Sequence, residues 1–272
     1  MAGMQRDWDE AYANMAHVPG SEALPDAWAA AAAGYRVGLG AAFEEALEYG
    51  DGPRATFDLV HPEGAARGLA VFVHGGYWMK FDRSFWTHLA EGARARGWAV
   101  ALPSYPLAPD ATLAEMTRAM GAAIEAAAAR ISGPVRLAGH SAGGHLVTRM
   151  ICADTPLATP VRDRIEHVLS ISGLHDLRPL LKTQMNATLQ LDPAMARAES
   201  PALCAPFGQP DLSVWVGAAE RPEFIRQARL MALMWEGFDG RVRLEIEPGQ
   251  NHFTVIEALR QPQAPLTCAF VG

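Results

Sequence analysis

The stretch Leu137-Ala138-Gly139-His140-Ser141-Ala142-Gly143-Gly144-His145 decides how this chain folds. An apolar run leads into Gly-His-Ser-Ala-Gly, with a glycine two places to either side of Ser141. A serine hydroxyl reacts at neutral pH only when a base and a fixed geometry are supplied. The G-x-S-x-G spacing supplies the geometry, by lifting the serine onto a strained turn between a strand and a helix. It therefore predicts a strand over Val135 to Ala138 and a helix over Gly143 to Asp154.

The rest of the chain repeats that alternation. Short apolar runs at Leu69 to Val73, Trp98 to Leu102, Val168 to Ile171, Leu212 to Val216 and Val242 to Ile246 read as strands. Ala55 to Val60, half alternating, reads as an outer strand. Helices are expected at Ser84 to Arg96, Leu113 to Arg130, Pro222 to Phe238 and Phe253 to Leu259, and over Ala27 to Tyr49 near the start. Leu113, Met116, Met120 and Ile124 share one helical face. Continuous apolar strands alternating with helices predict an α/β fold, a mostly parallel sheet covered on both faces. We read residues 1–272 as one domain, with residues 173–211 as a small flap.

Composition sets the partners. Apolar residues make up 50% of the chain and charged ones 19%, enough apolar material for an enzyme-sized core. A formal charge of −7, with no basic stripe, argues against a nucleic-acid partner. Cys152, Cys204 and Cys268 are widely spaced and form no C-x-x-C pair, so buried thiols in a reducing cytoplasm are expected rather than disulfides or a zinc site. The opening MAGMQRDWDE lacks the apolar segment of a secretory signal, and alanine runs such as Ala29 to Ala33 are too short to cross a membrane. The expectation is a cytoplasmic protein acting on a small molecule, with no metal, cofactor or membrane contact. The sequence leaves a homodimer open.

Ligands of such sheets meet the carboxyl ends of the strands. Leu69 to Val73 is followed by His74-Gly75-Gly76-Tyr77-Trp78, where a glycine pair can turn backbone N–H groups toward a developing oxyanion. The expected donors are Gly76, Tyr77 and Ala142, the residue after the serine. Val242 to Ile246 is followed by Glu247-Pro248-Gly249-Gln250-Asn251-His252-Phe253, which places His252 as the base for Ser141. His140 is expected to point away from the site, His145 to lie one turn into the helix, and His74 to brace its loop. The acid should sit between serine and histidine at a strand end. Glu220 is favoured because its strand neighbours the one feeding His252. Asp176 competes, and otherwise reads as a helix cap or loop brace. Glu223 reads as a solvated helix residue. Tyr77, Trp78 and Phe253 could stack on an aryl ring, with core packing as the alternative; Trp78 and Phe253 are the expected substrate contacts.

Together HGGYW, GHSAGG, VGAAERPEF and NHF resemble the kynurenine formamidase (arylformamidase) branch of the alpha/beta-hydrolase fold. Tyr105-Pro106-Leu107-Ala108-Pro109 resembles a segment shared with hormone-sensitive-lipase-like esterases. Ala11-Tyr12-Ala13-Asn14 through His17-Val18-Pro19, and Asp176-Leu177-Arg178-Pro179-Leu180, are also similar to that branch. The resemblance implies Ser141 as nucleophile, His252 as base and Glu220 as acid, where eukaryotic members mostly carry aspartate. It implies hydrolysis of N-formyl-L-kynurenine through a formyl-enzyme. A carboxylesterase or amidohydrolase of other small acyl substrates is the second reading, and a non-catalytic binding protein the third. No arginine stands out to hold the substrate's amino-acid head; Arg83 and Arg221 lie near the relevant loops.

Overall fold

Strand β3 (Leu69–Val73) shows how the core is built, because all five of its residues are buried. Leu69, Val71 and Val73 join one apolar cluster, while Ala70 and Phe72 join the other. Side chains alternate along a strand, so an unbroken apolar run serves both faces of a sheet. The computed structural model of the chain describes residues 6–209 and 211–272. The reading of the opening MAGMQRDWDE therefore falls partly outside the described residues, as does Pro210 at the end of the expected flap.

The other strands are β1 (Phe43–Glu48), β2 (Thr56–Val60), β4 (Ala99–Pro103), β5 (Val135–His140), β6 (Ile165–Ile171), β7 (Asp211–Gly217) and β8 (Arg241–Glu247). They form one eight-stranded sheet in the order β1-β2-β4-β3-β5-β6-β7-β8. The β1–β2 and β2–β4 pairings are antiparallel and every other pairing is parallel. The helices are α1 (Trp8–Tyr12), α2 (Leu24–Leu39), α3 (Glu91–Ala95), α4 (Leu113–Arg130), α5 (Ala142–Arg149), α6 (Thr159–Arg162), α7 (Asn186–Leu189), α8 (Pro193–Ala198), α9 (Pro222–Trp235) and α10 (Pro265–Val271). Residues of α4, α5 and α9 pack into the first cluster, and Trp28 of α2, Ala93 of α3 and Phe270 of α10 into the second. The expected α/β architecture is the observed one.

Helix α4 coincides with its predicted bounds, and a capping box explains its start. Thr112 Oγ1 accepts from Glu115 N–H, while Glu115 Oε2 accepts from Thr112 N–H at 2.8 Å. Other boundaries are corrected. The helix expected over Ala27 to Tyr49 stops at Leu39, since Gly40 takes φ +51, and the chain turns into β1. Consequently Thr56–Val60 is an inner strand, flanked by β1 and β4. Ser84 to Arg96 breaks into 3₁₀ turns ahead of the short α3, and Phe253 to Leu259 retains only the 3₁₀ turn Glu257–Arg260. Residues 173–211 carry 3₁₀ turns, α7 and α8 before entering β7. No helix among the described residues is long and apolar enough to cross a membrane.

Candidate active site

Ser141 sits between β5 and α5 with φ 56° and ψ −117°, a conformation that side-chain-bearing residues rarely adopt. The surroundings impose it. Ser141 N–H donates to the Ile171 carbonyl at 2.8 Å, and the Ser141 carbonyl accepts from His145 N–H at 3.1 Å. The flanking glycines allow the chain to fold this tightly. A Cβ on Gly139 would lie 2.2 Å from the Gly143 carbonyl oxygen, and one on Gly143 would lie 2.0 Å from the Val73 carbonyl oxygen. That second contact also presses the serine turn against the end of β3.

The loop leaving β3 is strained as well, with φ +113 at Gly76, +52 at Tyr77 and +59 at Trp78. It lies directly against the serine, since a Cβ on Gly75 would come within 3.0 Å of Ser141 Cβ. The Tyr105-to-Pro109 segment braces it: Tyr105 Oη donates to the His74 carbonyl at 3.0 Å, and Ala108 N–H to the Trp78 carbonyl at 2.8 Å. None of the hydrogen bonds formed outside regular elements by the described residues uses the N–H of Gly76, Tyr77 or Ala142.

His252 and Glu220 meet as expected. Strands β7 and β8 are neighbours, so the loops leaving them lie side by side. His252 Nδ1 is 2.6 Å from Glu220 Oε2. The other carboxylate oxygen accepts from Gly217 N–H at 2.8 Å and from Ser172 Oγ at 2.5 Å. Ser172, at the end of β6 with φ +53, is a residue that sequence reasoning did not single out. Its only signal was a position directly after an apolar run, which many serines share.

Ser141, His252 and Phe253 line one cavity of about 400 Å³. No hydrogen bond joins Ser141 Oγ to His252 in this conformation, whose side-chain bond is the one to Glu220. Trp28, Phe81, Trp86 and Phe253 form the cavity's aromatic wall, with the Trp28 ring centroid 4.9 Å from Trp86 and 5.8 Å from Phe81 and Phe253. Asn14 and Met15, from the N-terminal segment, line its other side. That segment is tied down by Tyr77, whose Oη donates to the Tyr12 carbonyl at 2.5 Å and accepts from Asn14 Nδ2 at 3.0 Å. Lys80 is the one lysine or arginine among the lining residues.

Several expectations need correction. Trp78 does not line the cavity: it is fully buried, edge-on to His145 in the core, because positive φ values at Tyr77 and Trp78 turn the chain inward there. His140 does not point away. It lines the cavity, and its Nε2–H donates to the main-chain carbonyl of His252 at 2.8 Å. Glu223 is not solvated: its side chain is 1% exposed and bonds Tyr12 Oη, Gln227 and the guanidinium groups of Arg6 and Arg226. It thereby anchors α1 to α9. Arg83 is held by Asp58 at 2.6 Å and Arg221 by Glu10 at 3.0 Å, and neither lines the cavity. Asp176 is the loop brace, accepting from Arg178 Nε at 2.8 Å and Arg178 N–H at 3.2 Å. His74 braces its loop through the Gly75 carbonyl at 2.7 Å, and burial pushes its pKa down to about 4.

Residues 70–268 match the family model described as alpha/beta hydrolase family. The chain belongs to the alpha/beta hydrolase family. Among curated members it is similar to the kynurenine formamidase of Salmo salar, at 29% identity over 225 residues covering 78% of this chain and 76% of that one. It is similar to the kynurenine formamidase of Danio rerio at 28%, over 78% and 75%. The resemblance drawn from the motifs thus extends over most of the chain. Among solved structures, a candidate thioesterase from Silicibacter sp. tm1040 superposes with a TM-score of 0.94 at 45% identity, over 98% of this chain and 100% of that one. Esterase B of Lactobacillus rhamnosis shares the fold at 17% identity, with a TM-score of 0.68 over 91% of each chain.

Proposed function

We propose that this alpha/beta hydrolase is a serine hydrolase of arylformamidase type, cleaving N-formyl-L-kynurenine to formate and kynurenine. The observation that carries the chemistry is the 2.6 Å contact of His252 with Glu220 beside a serine strained into the same cavity. Such a constellation needs no metal ion. Ser141 Oγ attacks the formyl carbonyl while His252 Nε2 takes its proton. Glu220 fixes the Nδ1–H tautomer and stabilises the imidazolium. The oxyanion is met by the N–H groups of Gly76, Tyr77 and Ala142, each such donor lowering the barrier by about 3 kcal/mol. The tetrahedral adduct collapses, His252 protonates the departing aryl nitrogen, and a water activated by the same imidazole then releases formate.

The aryl ring of the substrate has a matching surface in Trp28, Phe81, Trp86 and Phe253. Phe253, which lines the cavity, is proposed as a substrate contact, and Trp78, buried in the core, is not. We assign the carboxylate of the amino-acid head to Lys80, which lines the cavity. The curated relatives named kynurenine formamidase support this substrate.

A second reading rests on the 45% identical structure named as a candidate thioesterase. The same residues would then attack an acyl thioester or ester. The deciding experiment measures kcat/KM on N-formyl-L-kynurenine, an acyl thioester and p-nitrophenyl acetate, with Ser141→Ala as control. A formyl-kynurenine value of about 10⁴ M⁻¹s⁻¹ or more, above the other two, is the expected result. Preference for the thioester or ester would retain the residues and replace the substrate. Activity surviving in Ser141→Ala would refute the mechanism.

A further inference from the structure

Cys152 and Cys204 lie 52 positions apart, the first ahead of the flap segment and the second within it, yet the fold brings them together. Cys152 closes the turn after α5, and Cys204 follows the 3₁₀ turn Pro201–Leu203. Their segments run antiparallel: Cys152 bridges Pro206, Ala153 N–H donates to the Ala205 carbonyl at 2.9 Å, and Phe207 N–H to the Ile151 carbonyl at 2.7 Å. The two sulfurs and an Asp154 carboxylate oxygen all lie within 4.8 Å of one another, the one group among the described residues close enough to share a metal ion.

Chemistry argues against a cation there. Arg149, itself buried, grips both Asp154 oxygens at 2.8 and 2.9 Å and points Nη1 at Cys204 Sγ from 3.5 Å. A guanidinium already fills the place that a divalent ion would take, and it repels one. The same guanidinium favours an anionic sulfur. Cys204 is half-buried and within reach of small solutes, whereas Cys152 is fully buried behind it. The neighbouring Cys152 thiol, aided by Arg149, holds Cys204 below the usual thiol range, against burial and the nearby carboxylates of Asp154 and Glu199. Cys268, with no arginine at its sulfur among the described residues, is a built-in comparison.

We propose that Cys204 and Cys152 form a peroxide-reactive dithiol, Cys204 being the attacking sulfur and Cys152 the resolving one. The thiolate of Cys204 attacks one oxygen of hydrogen peroxide, forming an S–O bond as the O–O bond breaks and hydroxide leaves, taking up a proton as water. Cys204 is then a sulfenic acid, oxidised by two electrons. Cys152, giving up its proton, attacks that sulfur; an S–S bond forms, the S–O bond breaks and a second water departs. The net change is two thiols and one peroxide to one disulfide and two waters. The sulfurs must close to about 2.05 Å for this.

The test uses the full chain, reduced, treated with hydrogen peroxide, alkylated and mapped by mass spectrometry. The expected result is a Cys152–Cys204 linked peptide, a protein lighter by two hydrogens, and Cys268 still free to alkylate. In Cys152→Ala, dimedone should trap the sulfenic acid at Cys204; in Cys204→Ala, Cys152 should stay unreacted. Oxidation of Cys268 as fast as Cys204, or no linked peptide from the wild-type chain, would overturn the proposal whether or not the variants fold. Retention of one zinc ion through gel filtration, lost in Cys204→Ala, would also overturn it, in favour of the metal site.

Discussion

Glu220 Oε2 lies 2.6 Å from His252 Nδ1, and the Glu220 side chain has no exposure to solvent at all. A carboxylate buried this fully must have its lost water replaced by protein donors. The Gly217 N–H, the Ser172 hydroxyl and the His252 ring do this. The imidazole is thereby set as the Nδ1–H tautomer, with Nε2 the nitrogen that the proposed mechanism turns to Ser141. Glu220→Gln presents an amide that can no longer enforce that tautomer. We expect kcat to fall on the order of 10³–10⁴-fold with little change in KM. Steady-state kinetics checks this, with circular dichroism confirming the fold; a loss under tenfold would remove Glu220 from the mechanism.

Ser172 acts one step further out. Its hydroxyl donates to Glu220 Oε1 at 2.5 Å, and a hydrogen bond to a charged group contributes about 1.5–3 kcal/mol. Ser172→Ala should lower kcat about tenfold with KM retained, a smaller loss than in Glu220→Gln. A kcat indistinguishable from wild type, with an unchanged urea midpoint, would remove the hydroxyl from the positioning of Glu220.

The two glycines of the serine turn are a steric prediction. A Cβ at Gly143 would meet the Val73 carbonyl oxygen at 2.0 Å and the His74 carbonyl oxygen at 2.7 Å, both main-chain atoms that cannot rotate away. Gly143→Ala should therefore cost about 1–3 kcal/mol or more of stability, read as a lower urea midpoint, along with most activity. Gly34→Ala, in α2 with nothing within 4 Å, is the control and should be neutral or stabilising.

How much of this was legible in the sequence follows from what each signal encodes. Val135 to Ala138 and Leu69 to Val73 are apolar on both sides, so their burial and strand character could be read directly. The shared apolar face of Leu113, Met116, Met120 and Ile124 marked α4. Glu220 and His252 were legible because each follows a strand, and strand ends converge in a parallel sheet. The Trp78 side chain was not, because a positive φ at two consecutive non-glycine residues leaves no mark in composition. Glu223 reads as a surface glutamate until Tyr12 and Arg6, more than 200 positions earlier, are brought onto it. Ala27 to Tyr49 misled because β1 is an edge strand that is largely exposed, and Glu44, Glu45 and Glu48 look helical there.

Acid should unfold this protein through its buried histidines. Burial pushes His74 down to about 4, and His145 and His175 to about 3, from an ordinary 6.5. Groups with depressed folded pKa values contribute stability that is complete above the unfolded value and lost as pH falls. Between pH 6.5 and about 4, the unfolded chain takes up protons that the folded one refuses. Stability should then decline with a slope approaching about 1.4 kcal/mol per pH unit for each such histidine. Urea unfolding at stepped pH checks this; a flat profile from 6.5 to 4.5 would contradict it.

The aromatic wall and Lys80 make separable predictions about substrate selection. Trp28 packs against Trp86, Phe81 and Phe253 and lines the cavity, so it can meet an aryl ring without touching the reacting carbonyl. Trp28→Leu keeps an apolar side chain but removes the stacking surface, worth about 0.5–1.5 kcal/mol for an aromatic pair. KM for N-formyl-L-kynurenine should rise about threefold to tenfold while turnover of p-nitrophenyl acetate, judged by kcat, is retained. Lys80→Met should raise KM for N-formyl-L-kynurenine but not for a formyl anilide lacking the amino-acid head. If the two variants raise KM equally for every substrate, the wall and the cation only support the cavity's shape. If Lys80→Met leaves all constants unchanged, the carboxylate is held elsewhere, and Asn14 is the next lining group to substitute.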